Sequence, residues 1–229
     1  MEKKNKNEVV RRMLHTCSDV HIREANGEEQ SRTITGYAIL FGVPSDPIWS
    51  DEDSEAREVI DKTAVTKELL DSCDIKFTMF HDRQLILARS RNGTGTLKYN
   101  VDEKGVSFEF DAPNTVDGDK ALELVRRGDI AGCSFMFTTH YYDDAFVGRT
   151  VNVVNGVTMI VYTVKVITGV CDFTLAADPA YPDTSVEARE FADSLHKEAK
   201  PQSPEIQENK TKVREQVRDM RRAAGHKVY

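Results

Sequence analysis

Short apolar stretches separated by turn residues dominate the chain between Val20 and Ala176. Stretches of that length with alternating polar positions predict strands rather than helices. A strand begins near Val20 in DVHIRE, and RTITGYAILFGV reads as a strand pair or as one long strand with Gly36 as a bend or bulge. PSDPIWSDEDSEAR reads as a loop, because Pro44, Pro47 and a run of acids oppose regular structure. REVIDKTAVTKELLDSC has helix-like apolar spacing and predicts a short helix after a strand end, followed by a strand over DIKFTMFH. The next strands are joined by tight turns at Asn92-Gly93 and Glu103-Lys104-Gly105. TVDGDKALELVRRGDI predicts a helix capped by Thr115 or Asp117, with Leu122, Leu124 and Val125 on its apolar face and Gly128 at its end. AGCSFMFTTHYYD is a strand, GRTVNVVNGVTMIVYTVKVITGVCDFTLA gives two or three more with a turn at Asn155-Gly156, and DPAYPDTS is a rigid loop. The pattern is α+β: mostly antiparallel strands with two or three helices, as a β-barrel or a sheet with flanking helices.

Both ends differ from this middle. Residues 1–19 read as a polar N-terminal segment and 20–189 as the folded domain. From 190 to 229 the chain reads as a charged helical tail, broken at PQSPEIQ, with few apolar residues to add to a core. Such a tail suits a mobile or partner-docking role.

Charge narrows the function classes. The net charge of −7 argues against a nonspecific nucleic-acid binder, which is normally basic. No apolar run approaches the ~20 residues that cross a bilayer, and the charged start MEKKNKNEVVRRMLHTC lacks the apolar core of a signal peptide. The expected compartment is therefore a cytosol, with no membrane partner. Cys17, Cys73, Cys133 and Cys171 form no CxxC pair and match no zinc spacing, so free thiols are expected. The histidines make no HExxH, and neither a metal nor a cofactor is expected.

Two places carry candidate chemistry. In FTMFHDRQLILARS, His81 stands at the lip of a strand, either as a filler or as a group placed to handle a proton. In GDIAGCSFMF, alternation puts Cys133, Phe135 and Phe137 on one face and Ser134, Met136 and Thr138 on the other. A lone serine beside Gly128 and Gly132 reads as a nucleophile or as an ordinary surface serine on a half-buried strand. A serine hydroxyl needs an adjacent base, and the base needs a third group to fix its tautomer. Asp82, Asp172 and Asp178 are the choices. Asp82 is a strand neighbour of His81 and points away, and an isolated carboxylate on the apolar strand GVCDFTLA is costly unless paired, which favours Asp172. Cys133 beside His81 would instead make a cysteine protease, and alternation lets only one of Cys133 and Ser134 meet His81.

The segments GYAILFGVPSD, EVIDKTAV, IKFTMFHD, LELVRRGDIAGCSFMF and VCDFTLAADPAYPDTSVEAR run in order from about Thr33 to Arg189. Together they resemble the tailed-phage prohead (capsid maturation) serine protease family, a distant relative of herpesvirus assemblin. The resemblance implies an assemblin-like β-barrel with flanking helices, and a serine endopeptidase with Ser134 as nucleophile and His81 as base. Asp172 stands where the family usually has a glutamate, in an E-V-S strand that here reads Asp172-Phe173-Thr174. Lys62-Thr63-Ala64 replaces the usual Gly-Ala-Phe. By analogy with assemblin, the backbone around Ala180 and Tyr181 is the expected oxyanion hole, held by Pro179 and Pro182. The implied partners are the major capsid protein or its scaffolding region, with a homodimer among the expected states. The implied location is the immature capsid in the host cytoplasm. The rival expectation is a non-catalytic assembly or scaffolding protein.

Overall fold

The computed structural model describes residues 5–16, 20–24, 31–154 and 156–176. Along the chain lie β1 (Val10–Thr16), β2 (His21–Ile22), β3 (Thr33–Leu40), β4 (Trp49–Ser50), β5 (Ser54–Ile60), α1 (Lys67–Ser72), β6 (Asp74–Met79), β7 (Asp82–Arg91), β8 (Thr94–Gly95), β9 (Lys98–Val101), β10 (Gly105–Asp111), α2 (Val116–Arg127), β11 (Gly132–Thr139), β12 (Val147–Val154), β13 (Val157–Val164) and β14 (Gly169–Ala176). The class is α+β, with mixed, mainly antiparallel strands. The charged tail, 190–229, lies outside the described residues.

The strands build three sheets, in the orders β1-β11-β14-β6-β7-β8, β2-β3-β10-β9 and β12-β13-β5-β4. The expected closed barrel does not form among the described residues. Closure requires the last strand of a sheet to ladder with its first, and here β1 and β8 lie at opposite edges. The sheets stack instead. Phe77 of β6 packs its ring 4.6 Å from Phe108 and 4.5 Å from Phe110 of β10, and 6.4 Å from Phe173 of β14, centroid to centroid. All four rings are buried. Each large apolar side chain removed from water contributes roughly 1.5–3 kcal/mol, so this contact helps hold the first two sheets together.

Two stretches fold differently from the expectation. Val10–Thr16, inside the presumed polar segment 1–19, forms β1 and pairs antiparallel with β11 from Cys133 to Thr139. Its polarity is deceptive because Arg12 is buried against Glu58 of β5. The presumed loop 44–57 contains β4 and the first part of β5. β5 runs parallel to β13, a long-range pairing that local turn residues cannot announce. Elsewhere the punctuation works as expected. Thr115 caps α2 by accepting from the Gly118 amide, and Gly128 ends it in the left-handed region at φ 77°. Asn92 and Gly93 turn β7 into β8 with φ of 51° and 73°.

Candidate active site

Register creates a two-faced surface on the six-stranded sheet. Across β11, β14 and β6 the aligned rows are Phe135–Phe173–Phe77 and Cys133–Leu175–Met79 on one face, and Ser134–Thr174–Thr78 and Met136–Asp172–Lys76 on the other. Directly opposed residues share a face, so the phenylalanine rows fill the core while Ser134, Thr174, Thr78 and Asp172 gather on the reverse. Ser134 and Asp172 are diagonal neighbours there. All four are buried.

His81 reaches this polar face from a turn rather than from a strand. β6 and β7 are joined by two residues, Phe80 and His81, with φ of 56° and 57°. Two-residue hairpins favour this left-handed pair of conformations, but the usual occupants are Asn and Gly. For a phenylalanine and a histidine the strain is of order 1–3 kcal/mol each. Bulges break the β6–β7 register on both sides of Thr78, a common device for re-aiming a side chain at the edge of a site.

The result is a continuous hydrogen-bonded chain. His81 Nδ1 lies 2.9 Å from Asp172 Oδ1, and His81 Nε2 lies 2.9 Å from Ser134 Oγ. An ionised carboxylate can only accept, so it selects the tautomer with hydrogen on Nδ1 and leaves Nε2 bare to accept the Ser134 proton. Ser134 Oγ also stands 3.0 Å from the Leu14 carbonyl of β1, which is a second acceptor for the same proton. A hydroxyl carries one proton, so the Leu14 carbonyl and His81 Nε2 compete for it. Ser134 is fully buried, and the His81 side chain is 14% exposed. A proton can therefore pass from serine to imidazole in a setting where water competes weakly.

The structure brings together His81, Ser134 and Asp172. It places Asp82 on the exposed side, where Oδ1 accepts from the Gln84 amide at 2.8 Å. Asp178, Ala180 and Tyr181 lie outside the described residues. Cys133 faces the phenylalanines, and burial pushes its thiol far above the ordinary range, away from the thiolate a cysteine nucleophile needs. Neither bland reading of Ser134 or His81 describes what forms: the serine is not at the surface, and the histidine has a partner on each ring nitrogen.

Three participants were not read from the sequence. The Leu14 carbonyl belongs to a strand that was not anticipated. Thr174 Oγ1 accepts from the His81 amide at 2.9 Å and from Thr78 Oγ1 at 2.9 Å. Polar residues at Lys76, Thr78, Asp172 and Thr174 alternate with apolar ones in two neighbouring strands, a signal that marks both threonines as sharing a face with Asp172.

No curated protein and no solved structure matches the chain. The model of a protein family does: the one described as caudovirus prohead serine protease matches residues 18–198, which include every residue of the His81–Asp172–Ser134 chain. The match spans well over half of the sequence, so this chain belongs to the caudovirus prohead serine proteases, enzymes of bacteriophage capsid maturation.

Proposed function

We propose that the protein is a serine endopeptidase with Ser134 as nucleophile, His81 as general base and acid, and Asp172 as the group that orients and stabilises the imidazole. The observation that carries the reading is the unbroken Asp172–His81–Ser134 contact, 2.9 Å at each step. As Ser134 Oγ attacks a peptide carbonyl, its proton moves to His81 Nε2. The imidazolium is stabilised through Nδ1–H by the Asp172 carboxylate. His81 then delivers the proton to the departing amine, leaving an acyl-serine. Water, deprotonated by the same nitrogen, releases the acid. An oxyanion hole worth about 3 kcal/mol per donor completes such a site, and Ala180 and Tyr181 remain our assignment for its backbone.

The substrate in this reading is the scaffolding region of the major capsid protein, or a separate scaffold, and then the protease itself, inside the immature capsid. The tail from 190 to 229 docks the enzyme to scaffold, the active form is a homodimer, and herpesvirus assemblin is a distant relative.

The test is co-expression with the phage capsid protein and its scaffold, as wild type and as Ser134→Ala, with all products weighed by intact mass spectrometry. Trimmed capsid protein and shortened protease from wild type alone support the reading. Cleavage by the alanine variant removes Ser134 from its role, and whole products from both forms favour an assembly factor.

A further inference from the structure

The polar face holds two buried hydroxyls that the mechanism above does not use. Thr78 and Thr174 are aligned partners on the parallel strands β6 and β14, and both are fully buried. Thr78 Oγ1 donates to Thr174 Oγ1 at 2.9 Å, and Thr174 Oγ1 also accepts from the His81 amide at 2.9 Å. The Phe80 amide donates to the Leu175 carbonyl at 3.1 Å. Consecutive amides of the turn, Phe80 and His81, are thus tied to consecutive residues of the strand that carries Asp172.

That arrangement answers a physical difficulty. The turn is left-handed at two non-glycine residues, a conformation that persists only where the surroundings over-determine it. If the turn relaxed, the His81 ring would swing away from both Asp172 and Ser134. Backbone carbonyls are the usual acceptors for amides in a sheet. Here a side-chain hydroxyl takes that role at the residue whose ring must be aimed.

We infer that Thr174, backed by Thr78, is a positioning residue: its hydroxyl holds the His81 backbone so that Nδ1 faces Asp172 while Nε2 faces Ser134. This inference rests on the triad reading for its catalytic consequence, but its geometric content stands without it. Thr174 touches no reacting atom. Its loss lowers the fraction of molecules with an aligned base and leaves substrate binding alone.

The experiment uses the full chain as Thr174→Val, which keeps the shape and loses the acceptor, and as Thr174→Ser, which keeps the acceptor. We expect kcat on the capsid-protein substrate to fall roughly 10–100-fold in Thr174→Val, the range of a lost hydrogen bond to a buried donor, with KM unchanged. Thr174→Ser should recover most of the rate. In parallel, histidine-labelled protein is followed by NMR in the Ser134→Ala background, where activity is no longer the readout. The His81 ring signals should be single in wild type and Thr174→Ser, and doubled or broadened in Thr174→Val. Unchanged ring signals in Thr174→Val would overturn the inference, as would equal rates for all three proteins. If Thr174→Val does not fold, Thr78→Val removes the supporting donor instead and should give a smaller drop of about 3–10-fold with a shifted His81 signal; an unchanged rate and signal there refutes the clamp. Should Ser134→Ala retain full cleavage, the triad reading fails while the ring signals still decide whether Thr174 positions His81.

Discussion

Two buried base–carboxylate contacts on this molecule invite comparison. Arg12 of β1 meets Glu58 of β5 through two hydrogen bonds, 3.1 and 2.9 Å, and both residues are buried. His81 meets Asp172 through one, at 2.9 Å. In the first, burial pulls the guanidinium down, but Glu58 together with Tyr141 and Tyr142 outweighs it and the group is held above its ordinary value. Arginine of this kind never releases its proton. Both carboxylate oxygens of Glu58 are engaged by Arg12, and the contact joins two sheets. In the second, the base is an imidazole, and the ring nitrogen that does not face Asp172 meets the Ser134 hydroxyl. A base that cannot give up its proton holds a fold together; a base whose second nitrogen faces a hydroxyl can relay one. The difference lies in residue type and in the serine that the second ring nitrogen faces.

Four substitutions press on that difference. Asp172→Asn should have the largest effect: turnover falls by about 10⁴ through the wrong imidazole tautomer while the melting temperature barely moves. Steady-state kinetics beside calorimetry would check it, and a parallel loss of stability would make Asp172 a second structural anchor. Arg12→Ala should do the reverse. It strands Glu58 as a buried charge and costs about 3–5 kcal/mol in denaturant unfolding, whereas the double change Arg12→Met with Glu58→Leu should recover most of that stability. If the single change is harmless, the pair is not the joint between the sheets. Cys133→Ser puts a hydroxyl among phenylalanines and should cost about 1–3 kcal/mol, with cleavage per folded molecule retained; a dead but stable protein would return the thiol to contention. The smallest effect belongs to Asp74. Arg89, and after it Lys76, hold this exposed carboxyl well below its ordinary range. A lowered folded value means the stabilisation is fully present above the ordinary carboxyl value of 3.8 and fades as pH falls from there through the folded value. Melting curves of wild type and Asp74→Asn should differ slightly at neutral pH and converge in acid.

The sequence was informative wherever function or folding depends on neighbours along the chain. Thr115 and Gly128 bracket α2 because caps are local devices, and the alternation through Cys133, Ser134 and Phe135 predicted which side chain would face the core. Asp172 was legible because an isolated carboxylate in GVCDFTLA demands a partner. What escaped was set at a distance. β1 looks polar because it carries Arg11 and Arg12, and only the fold supplies Glu58 to Arg12 from 46 positions away. Strand content allowed a barrel or an open sheet, and the family resemblance implied the barrel, but closure depends on which strands become edges, and edges have no local signature. The left-handed turn at Phe80-His81 carries none of the Gly or Asn that normally marks one, so His81 was read as a strand end.

The place of β14 has a consequence for timing. It is the last of the described strands, yet it inserts in the middle of its sheet, between β11 and β6. Its partner residues on β6, such as Thr78 opposite Thr174, were made 96 positions earlier. During synthesis at roughly 5–20 residues per second, a growing chain exposes His81 and then Ser134 while Asp172 is still unmade and the slot between β6 and β11 is empty. The hairpin turn meanwhile lacks both Thr174 and the Leu175 carbonyl. On the proposed mechanism each new molecule is therefore mute until β14, the last of the described strands, is in place, and a fragment that ends before Asp172 lacks one member of the proposed triad.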